Sequence, residues 1–127
     1  MIKELSIKTH SRNEMMNITS KVEDFVKNVE EGVVTVFVPH TTAAVTINEN
    51  ADPDVKSDIL AYLSKLVPEN DRYRHSEGNS DAHIKSSIIG QSLSVIVKNG
   101  KLVLGTWQGI YFCEFDGPRQ RKVIVYG

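Results

Sequence analysis

Three stretches of this 127-residue chain gather side chains able to bind or move charge. The first runs from Pro39-His40-Thr41-Thr42 to Asn48-Glu49-Asn50-Ala51-Asp52. An imidazole placed after a proline at a strand end can face a pocket, ligate a metal or bond the backbone. Glu49 lies beyond a strand end, where carboxylates point into clefts, while Asp52 reads most simply as a helix cap. The second stretch, residues 75–85 (HSEGNSDAHIK), holds His75, His83, Glu77, Asp81, Asn79 and Lys85, with Gly78 for a tight turn. Two imidazoles joined by a carboxylate or a third histidine would form an open divalent-metal site, for zinc or magnesium, with room for water or a phosphate oxygen. The spacing of His75 and His83 matches no single helical metal pair. Asn79, Ser80 and Asp81 read equally well as the cap and first turn of a helix, where a carboxylate suits the dipole. The third stretch is Trp107-Gln108, Glu114 and Asp116-Gly117-Pro118-Arg119. Pro118 stiffens the turn, so Arg119 suits bidentate phosphate or carboxylate recognition. An ion pair with Glu114 or Asp116 is the competing use of that guanidinium. His10, in a polar run with Ser11, Arg12 and Asn13, reads as solvated.

Composition narrows the function classes. Apolar residues make up 40% and charged residues 24%, and 15 Lys+Arg against 16 Asp+Glu leave a net charge of −1. That balance argues against generic binding to a nucleic-acid backbone. No apolar run approaches the ~18 residues of a membrane span, and Met1-Ile2-Lys3-Glu4 does not open a signal peptide. The single cysteine, Cys113, excludes an internal disulfide and suits a reducing compartment. The expectation is one domain over residues 1–127, cytoplasmic, with neither nucleic acid nor membrane as partner. Walker-type loops, paired CxxC motifs and the GxSxG elbow do not occur in the sequence.

The elements that must position these residues follow from patterning. Residues 2–9 alternate imperfectly and predict an edge strand, and Met15, Met16 and Ile18 a short second one. Ser20 with Glu23 reads as a capping box, followed by Val22, Phe25, Val26 and Val29 at helical spacing, with Gly32 as the stop. Residues 33–38 (VVTVFV) read as a strand buried on both faces, and residues 43–47 as its successor. Asp52-Pro53 opens a helix with the stripe Val55, Ile59, Tyr62, Leu63 and Leu66, ended by Pro68. Residues 68–82 form a long polar loop of the kind that carries function. Ser80 begins a short helix that Gly90 closes. The last third reads as strands: 92–98, an Asn99-Gly100 turn of type I′, 101–105, 106–115 and 121–126. These elements predict an α+β fold, an antiparallel or mixed β-sandwich-like sheet with two main helices and one short helix. On strand 106–115, parity places Trp107, Tyr111, Cys113 and Phe115 toward a core, with Trp107 supporting it. Ile110 and Phe112 on the other face call for either subunit packing or a covering helix.

Taken together, Pro39-His40-Thr41-Thr42-Ala43-Ala44, the run Asn48 to Val55, residues 75–85, Gly105-Thr106-Trp107-Gln108 and Glu114 to Arg119 resemble the YjbQ-like family of secondary thiamine-phosphate synthases. The resemblance covers essentially the whole chain, and no motif departs from it. It implies an α+β fold assembled as a homotrimer. It also implies weak joining of a pyrimidine diphosphate to a thiazole phosphate, with loss of pyrophosphate. Such a reaction asks the protein to neutralise the leaving diphosphate and align two rings. The residues expected to do so are His40, His75 and His83 on a divalent metal or directly on phosphate. Lys85 and Arg119 would hold phosphate oxygens, with Glu49 or Asp81 completing the site. A non-catalytic trimer that binds a small phosphorylated metabolite would use the same residues. A metal-assisted hydrolase would too. In a purely structural trimer the three clusters would serve as interface hydrogen bonds.

Overall fold

The computed structural model describes all 127 residues and contains eight strands and three helices. In chain order these are β1 (Ile2–Lys8), β2 (Glu14–Asn17), α1 (Thr19–Val26), β3 (Glu31–Phe37), β4 (Ala43–Glu49), α2 (Pro53–Leu66), α3 (Ser80–Ile89), β5 (Ser92–Lys98), β6 (Lys101–Leu102), β7 (Gln108–Glu114) and β8 (Gln120–Tyr126). They form an antiparallel five-stranded sheet, β1-β8-β3-β5-β6, facing an antiparallel three-stranded sheet, β2-β7-β4. The α+β class and the two-layered sheet agree with the sequence. Strands β5 and β6 meet at Asn99-Gly100, both at positive φ (53° and 72°), as a type I′ turn requires. A side chain at Gly100 would also run into the Lys27 carbonyl, so glycine is needed there twice over.

The three-stranded sheet is buried on both faces. Between the sheets, Val34, Val36, Val95, Val97, Val123 and Val125 meet Val45, Ile110 and Phe112, and Val22, Phe25 and Val26 of α1 close one end. On the other face Met15, Ala44, Tyr111, Cys113 and Phe115 pack with Leu63 of α2 and Ala82 of α3. Phe112 is fully buried, which stabilises the fold by about 1.5–3 kcal/mol. Ile110 and Phe112 therefore need no partner subunit: α1 and the opposing sheet cover them. Trp107 lies outside β7 in a turn and is 61% exposed, so it does not support a core.

Four local expectations change. Strand β3 buries Val34 and Val36 but leaves Val33 and Phe37 exposed, because only one face of its sheet meets the other layer. The Ser20–Glu23 capping box does not form. Helix α1 starts two residues earlier, at Thr19, and Asn17 Oδ1 accepts from the Thr19 amide at 3.0 Å. The same helix ends at Val26 rather than near Gly32. The Val29 and Glu30 carbonyls instead accept from the Gly100 and Asn99 amides, which pulls the chain out of the helical path. Of the α2 stripe only Leu63 is buried, while Tyr62 and Leu66 are exposed. The start of α2 is as expected, with Asp52 Oδ1 accepting from the Asp54 amide at 2.9 Å and Pro53 in the first turn.

Candidate functional site

The loops at one end of the sandwich enclose a cavity of about 480 Å³. Its walls carry His40 and Thr41 from the β3–β4 connection, His75 and Glu77 from the long loop, Asn79 and His83 at the start of α3, Asp116 and Arg119 from the β7–β8 turn, and Arg121 from the start of β8; none of its lining residues is hydrophobic. Three histidines separated by up to 43 positions in sequence thus reach one hollow. The His75 and His83 rings lie edge to face with centroids 5.4 Å apart, and His75 Nε2 is 3.8 Å from Glu77 Oε1.

His40 is fixed by the backbone. The Lys122 amide donates to His40 Nε2 at 2.9 Å, so that nitrogen carries no proton and the neutral ring keeps its hydrogen on Nδ1. Burial, and then the Arg121 guanidinium, push the His40 pKa below the ordinary imidazole value, with Glu114 pulling the other way. The ring is therefore a hydrogen-bond donor through Nδ1–H. A metal would need the lone pair already given to Lys122. Across the chain no three His, Cys, Asp or Glu side chains gather as a set able to hold an ion. The donor set as placed fits an anion better than a zinc or magnesium cage.

Behind the cavity lies a buried charge system. Arg121 donates to both carboxylate oxygens of Glu114 and, through Nη2, to Thr42 Oγ1 at 2.8 Å. Glu114 also accepts from Thr9 Oγ1 at 2.8 Å and from the Phe115 and Asp116 amides. Burial alone would raise the Glu114 pKa, but the hydrogen bonds from Arg121, the Asp116 backbone and Thr9 outweigh it and hold the carboxyl below its ordinary value. Gly117 lets the turn close over this pair, since a Cβ there would meet the Ser11 carbonyl, Glu114 Cγ and Thr9 Oγ1.

Asp116 is the second hub. Its carboxylate accepts from Arg12 at 3.2 Å, Asn79 at 2.9 Å and Arg119 at 3.0 Å. Arg119 thus makes the ion pair that the sequence left open, with Nη1 uncommitted. Arg12 goes on to Asp81 at 3.0 Å and the Gly78 carbonyl at 3.3 Å, and its Nε sits 3.3 Å from Glu69 at the rim. Asp81 and Lys85, both buried, lie beneath the cavity rather than in its wall. Lys85 Nζ donates to Asn13 at 3.2 Å and Asp81 at 3.4 Å, 5.8 Å from the centroid of the Phe115 ring. Within this network four cations (Arg12, Lys85, Arg119, Arg121) meet three carboxylates (Asp81, Glu114, Asp116), with Glu69 beside Arg12 and Glu77 in the cavity wall as two more.

Of the residues singled out by sequence, His40, His75, His83 and Arg119 converge, and Asp81 and Lys85 support them from below. Glu49 does not join them. It ends β4 away from Thr42, where its carboxylate accepts from the Asp52 amide at 3.1 Å and its carbonyl from Tyr111 Oη at 3.0 Å. Cys113 is inert, its thiol pushed up to about 12 by burial. Sequence reasoning passed over Arg12, read Glu114 only as a possible ion-pair partner of Arg119, and gave Arg121 no role. A signal existed for the last two: Arg121 shares parity with Val123 and Val125, and Glu114 with Ile110 and Phe112. A charge on an inward-facing strand position needs a buried partner.

Comparison with known proteins agrees over the whole chain. The family model described as UPF0047 protein YjbQ-like matches residues 3–126. The UPF0047 protein YugU of Bacillus subtilis is 56% identical over 128 aligned positions, covering 98% of this chain and 97% of the relative. A UPF0047 protein of Methanocaldococcus jannaschii is 53% identical, covering 98% and 92%. Among solved structures, a YjbQ/UPF0047 protein of Clostridium acetobutylicum superposes with a TM-score of 0.95 at 56% identity, covering 98% of both chains. A YbjQ-like protein of unknown function from Sulfolobus solfataricus gives 0.94 at 32% identity, covering 98% and 94%. The fold, the motifs around the cavity and these alignments agree: the chain belongs to the YjbQ-like UPF0047 family.

Proposed function

We propose that the cavity binds the phosphate of a small phosphorylated metabolite, held by His40 Nδ1–H, the free edge of Arg119 and the Arg121 guanidinium. The observation that carries this reading is the convergence of these donors on a hollow with no hydrophobic lining. Guanidinium groups braced by carboxylates are pre-oriented, so little side-chain freedom is lost on binding an oxyanion. The same arrangement suits the coupling that the family resemblance implies. There, the bond between a pyrimidine methylene carbon and diphosphate oxygen breaks, the electron pair leaves with the diphosphate, and the thiazole nitrogen forms the new C–N bond. The protein's part is to stabilise the departing charge and align the rings, which these donors can do without a covalent step.

Isothermal titration with inorganic phosphate and pyrophosphate tests the binding, with and without chelator. The expected result is saturable binding that chelator leaves intact and that Arg119→Ala weakens about tenfold, the loss of one charged hydrogen bond. Unchanged affinity in Arg119→Ala overturns the site. Loss of binding on chelation would instead place a metal between the histidines and the anion. Steady product formation from both thiamine precursors, lost in Arg119→Ala, separates the synthase from a binding module.

The assembly belongs to the same proposal. The outer face of the five-stranded sheet leaves Val33, Ile96, Val103, Tyr126 and Ile2 exposed. Val33 pairs with Ile96 across β3 and β5, and Ile2 with Tyr126 across β1 and β8, so the apolar surface is shared by adjoining strands. The chain exposes 7490 Å², about a tenth more than scaling with mass gives. A homotrimer that packs this face would cover the excess.

A further inference from the structure

Residues 68–78 supply part of the cavity wall, yet their backbone makes a single hydrogen bond to another segment: the Gly78 carbonyl accepts from Arg12 Nη2 at 3.3 Å. Their side chains add Glu69, 3.3 Å from Arg12 Nε, and the edge-to-face contact of His75 with His83. The bonds of Arg72 and Tyr73 close within the loop itself. None of these eleven residues is buried. A hollow of about 370 Å³ separates Tyr73, Arg74 and His75 from Ser80, His83 and Ile84 of α3, so the loop is not packed down onto the helix. A segment with so few buried contacts opens at small cost.

Both ends of the loop are firm. Val67 is buried, with its amide on the Leu63 carbonyl at 2.9 Å. Asn79 is tied to Asp116 at 2.9 Å, and its carbonyl accepts from the Ala82 and His83 amides. Next to the second anchor Gly78 sits at φ 81°, with open space where a Cβ would lie, so the backbone can turn there freely. Arg12 acts as a latch with unequal halves. On the body it holds Asp81, which is fully buried, and Asp116, which is nearly so; on the loop it holds the exposed Glu69 and one carbonyl. Buried charge pairs are costly to break and exposed ones are not. The loop half therefore parts first and leaves Arg12 on the body. His75 and Glu77 then leave the cavity wall, and the hollow beneath the loop joins the cavity along their shared border at His75 and His83.

We infer that residues 68–78 are a gate, swinging between Pro68 and Gly78, and that the cavity's ligand passes only when the Arg12 latch is released. The inference rests on the phosphate-binding reading and adds the route by which that ligand enters and leaves. Lids of this kind move in microseconds to milliseconds, which makes passage slower than diffusion.

Phosphorus NMR exchange with inorganic phosphate, on the wild type and two variants, tests the gate. Glu69→Gln weakens the loop half of the latch, and Gly78→Ala disfavours the latched backbone without a steric clash. Association and dissociation rates should rise together, about threefold in Glu69→Gln and about fivefold in Gly78→Ala, with Kd within about twofold of the wild type. The retained Kd also reports an intact fold. Trypsin cleavage at Arg72 and Arg74 should accelerate by the same factors, since it reads the open population. Faster cleavage with unchanged phosphate rates overturns the gate, as does unchanged cleavage in both variants. A rise in the dissociation rate alone makes the loop a piece of the binding wall and also overturns it. Each of these outcomes leaves the phosphate site standing. Absence of phosphate binding in the wild type overturns that site and the gate with it.

Discussion

His40 holds one ring nitrogen in use, against the Lys122 amide, and the other as a donor, and its pKa is lowered by burial. The sign of the resulting pH dependence follows directly. The unfolded chain takes up a proton on this imidazole near the ordinary value of 6.5, whereas the folded chain resists it to lower pH. This contribution to stability is full above the unfolded value and is lost as pH falls toward the folded one. Urea unfolding from pH about 7 down to about 5 should show stability falling, with a shallower fall in His40→Gln, which keeps an acceptor for Lys122 but cannot titrate. An identical slope in the variant would remove His40 from the account. Glu114 behaves by the same logic lower on the scale. Its folded pKa lies below 4.5, so its stabilisation is present above that value and fades as pH falls through it. Glu114→Gln leaves Arg121 charged and buried without its partner. The expected cost is about 3–5 kcal/mol in urea unfolding at neutral pH. Less than about 1 kcal/mol would show that the pair is dispensable.

At the scale of elements, one side chain joins the pieces that carry the cavity. Arg12, in the β1–β2 connection, ties the β7–β8 turn through Asp116, α3 through Asp81, and the long loop through the Gly78 carbonyl and Glu69. Residues 67–79 contain neither helix nor strand, so their position rests on such contacts and on Tyr73 Oη donating to the Pro68 carbonyl. Arg12→Ala is expected to lower stability by about 1–3 kcal/mol and weaken phosphate binding several-fold, since His75 loses its anchor. Trypsin cleavage at Arg72 and Arg74 should accelerate relative to the rest of the chain. Arg12→Lys should recover little, because one ammonium cannot span the same set of acceptors. Cleavage and affinity unchanged in Arg12→Ala would mean that the loop is held by other contacts.

For the whole molecule, the exposed apolar face of the five-stranded sheet bears on assembly. Light scattering should give three times the chain mass for the wild type, and Ile96→Asp, which places a charge at the centre of that face, should run at the mass of one chain. A wild-type monomer would leave the face unexplained by self-association. Much of the architecture was legible in the chain itself, because it is set locally. The Asn99-Gly100 turn, the Asp52-Pro53 helix start, Gly90 after α3 and the alternation of β5 and β8 each depend on neighbours a few residues away. So do the motifs that mark the family. What lay beyond the sequence was which faces meet. Alternation could not tell that β3 buries one face and β7 two, since that depends on which sheet lies opposite. Nor could spacing separate Glu49, left at the far end of β4, from Arg12, drawn in from a stretch that read as solvated. His40, His75, His83 and Arg119 were visible as chemistry-bearing residues. Their convergence, and the proton placement on His40 that makes it a donor, required contacts across as many as 82 positions. The sequence by itself determined the elements and the chemical repertoire through short-range preference. The tertiary structure decided the site, because charge, burial and proton position depend on groups that only folding brings together.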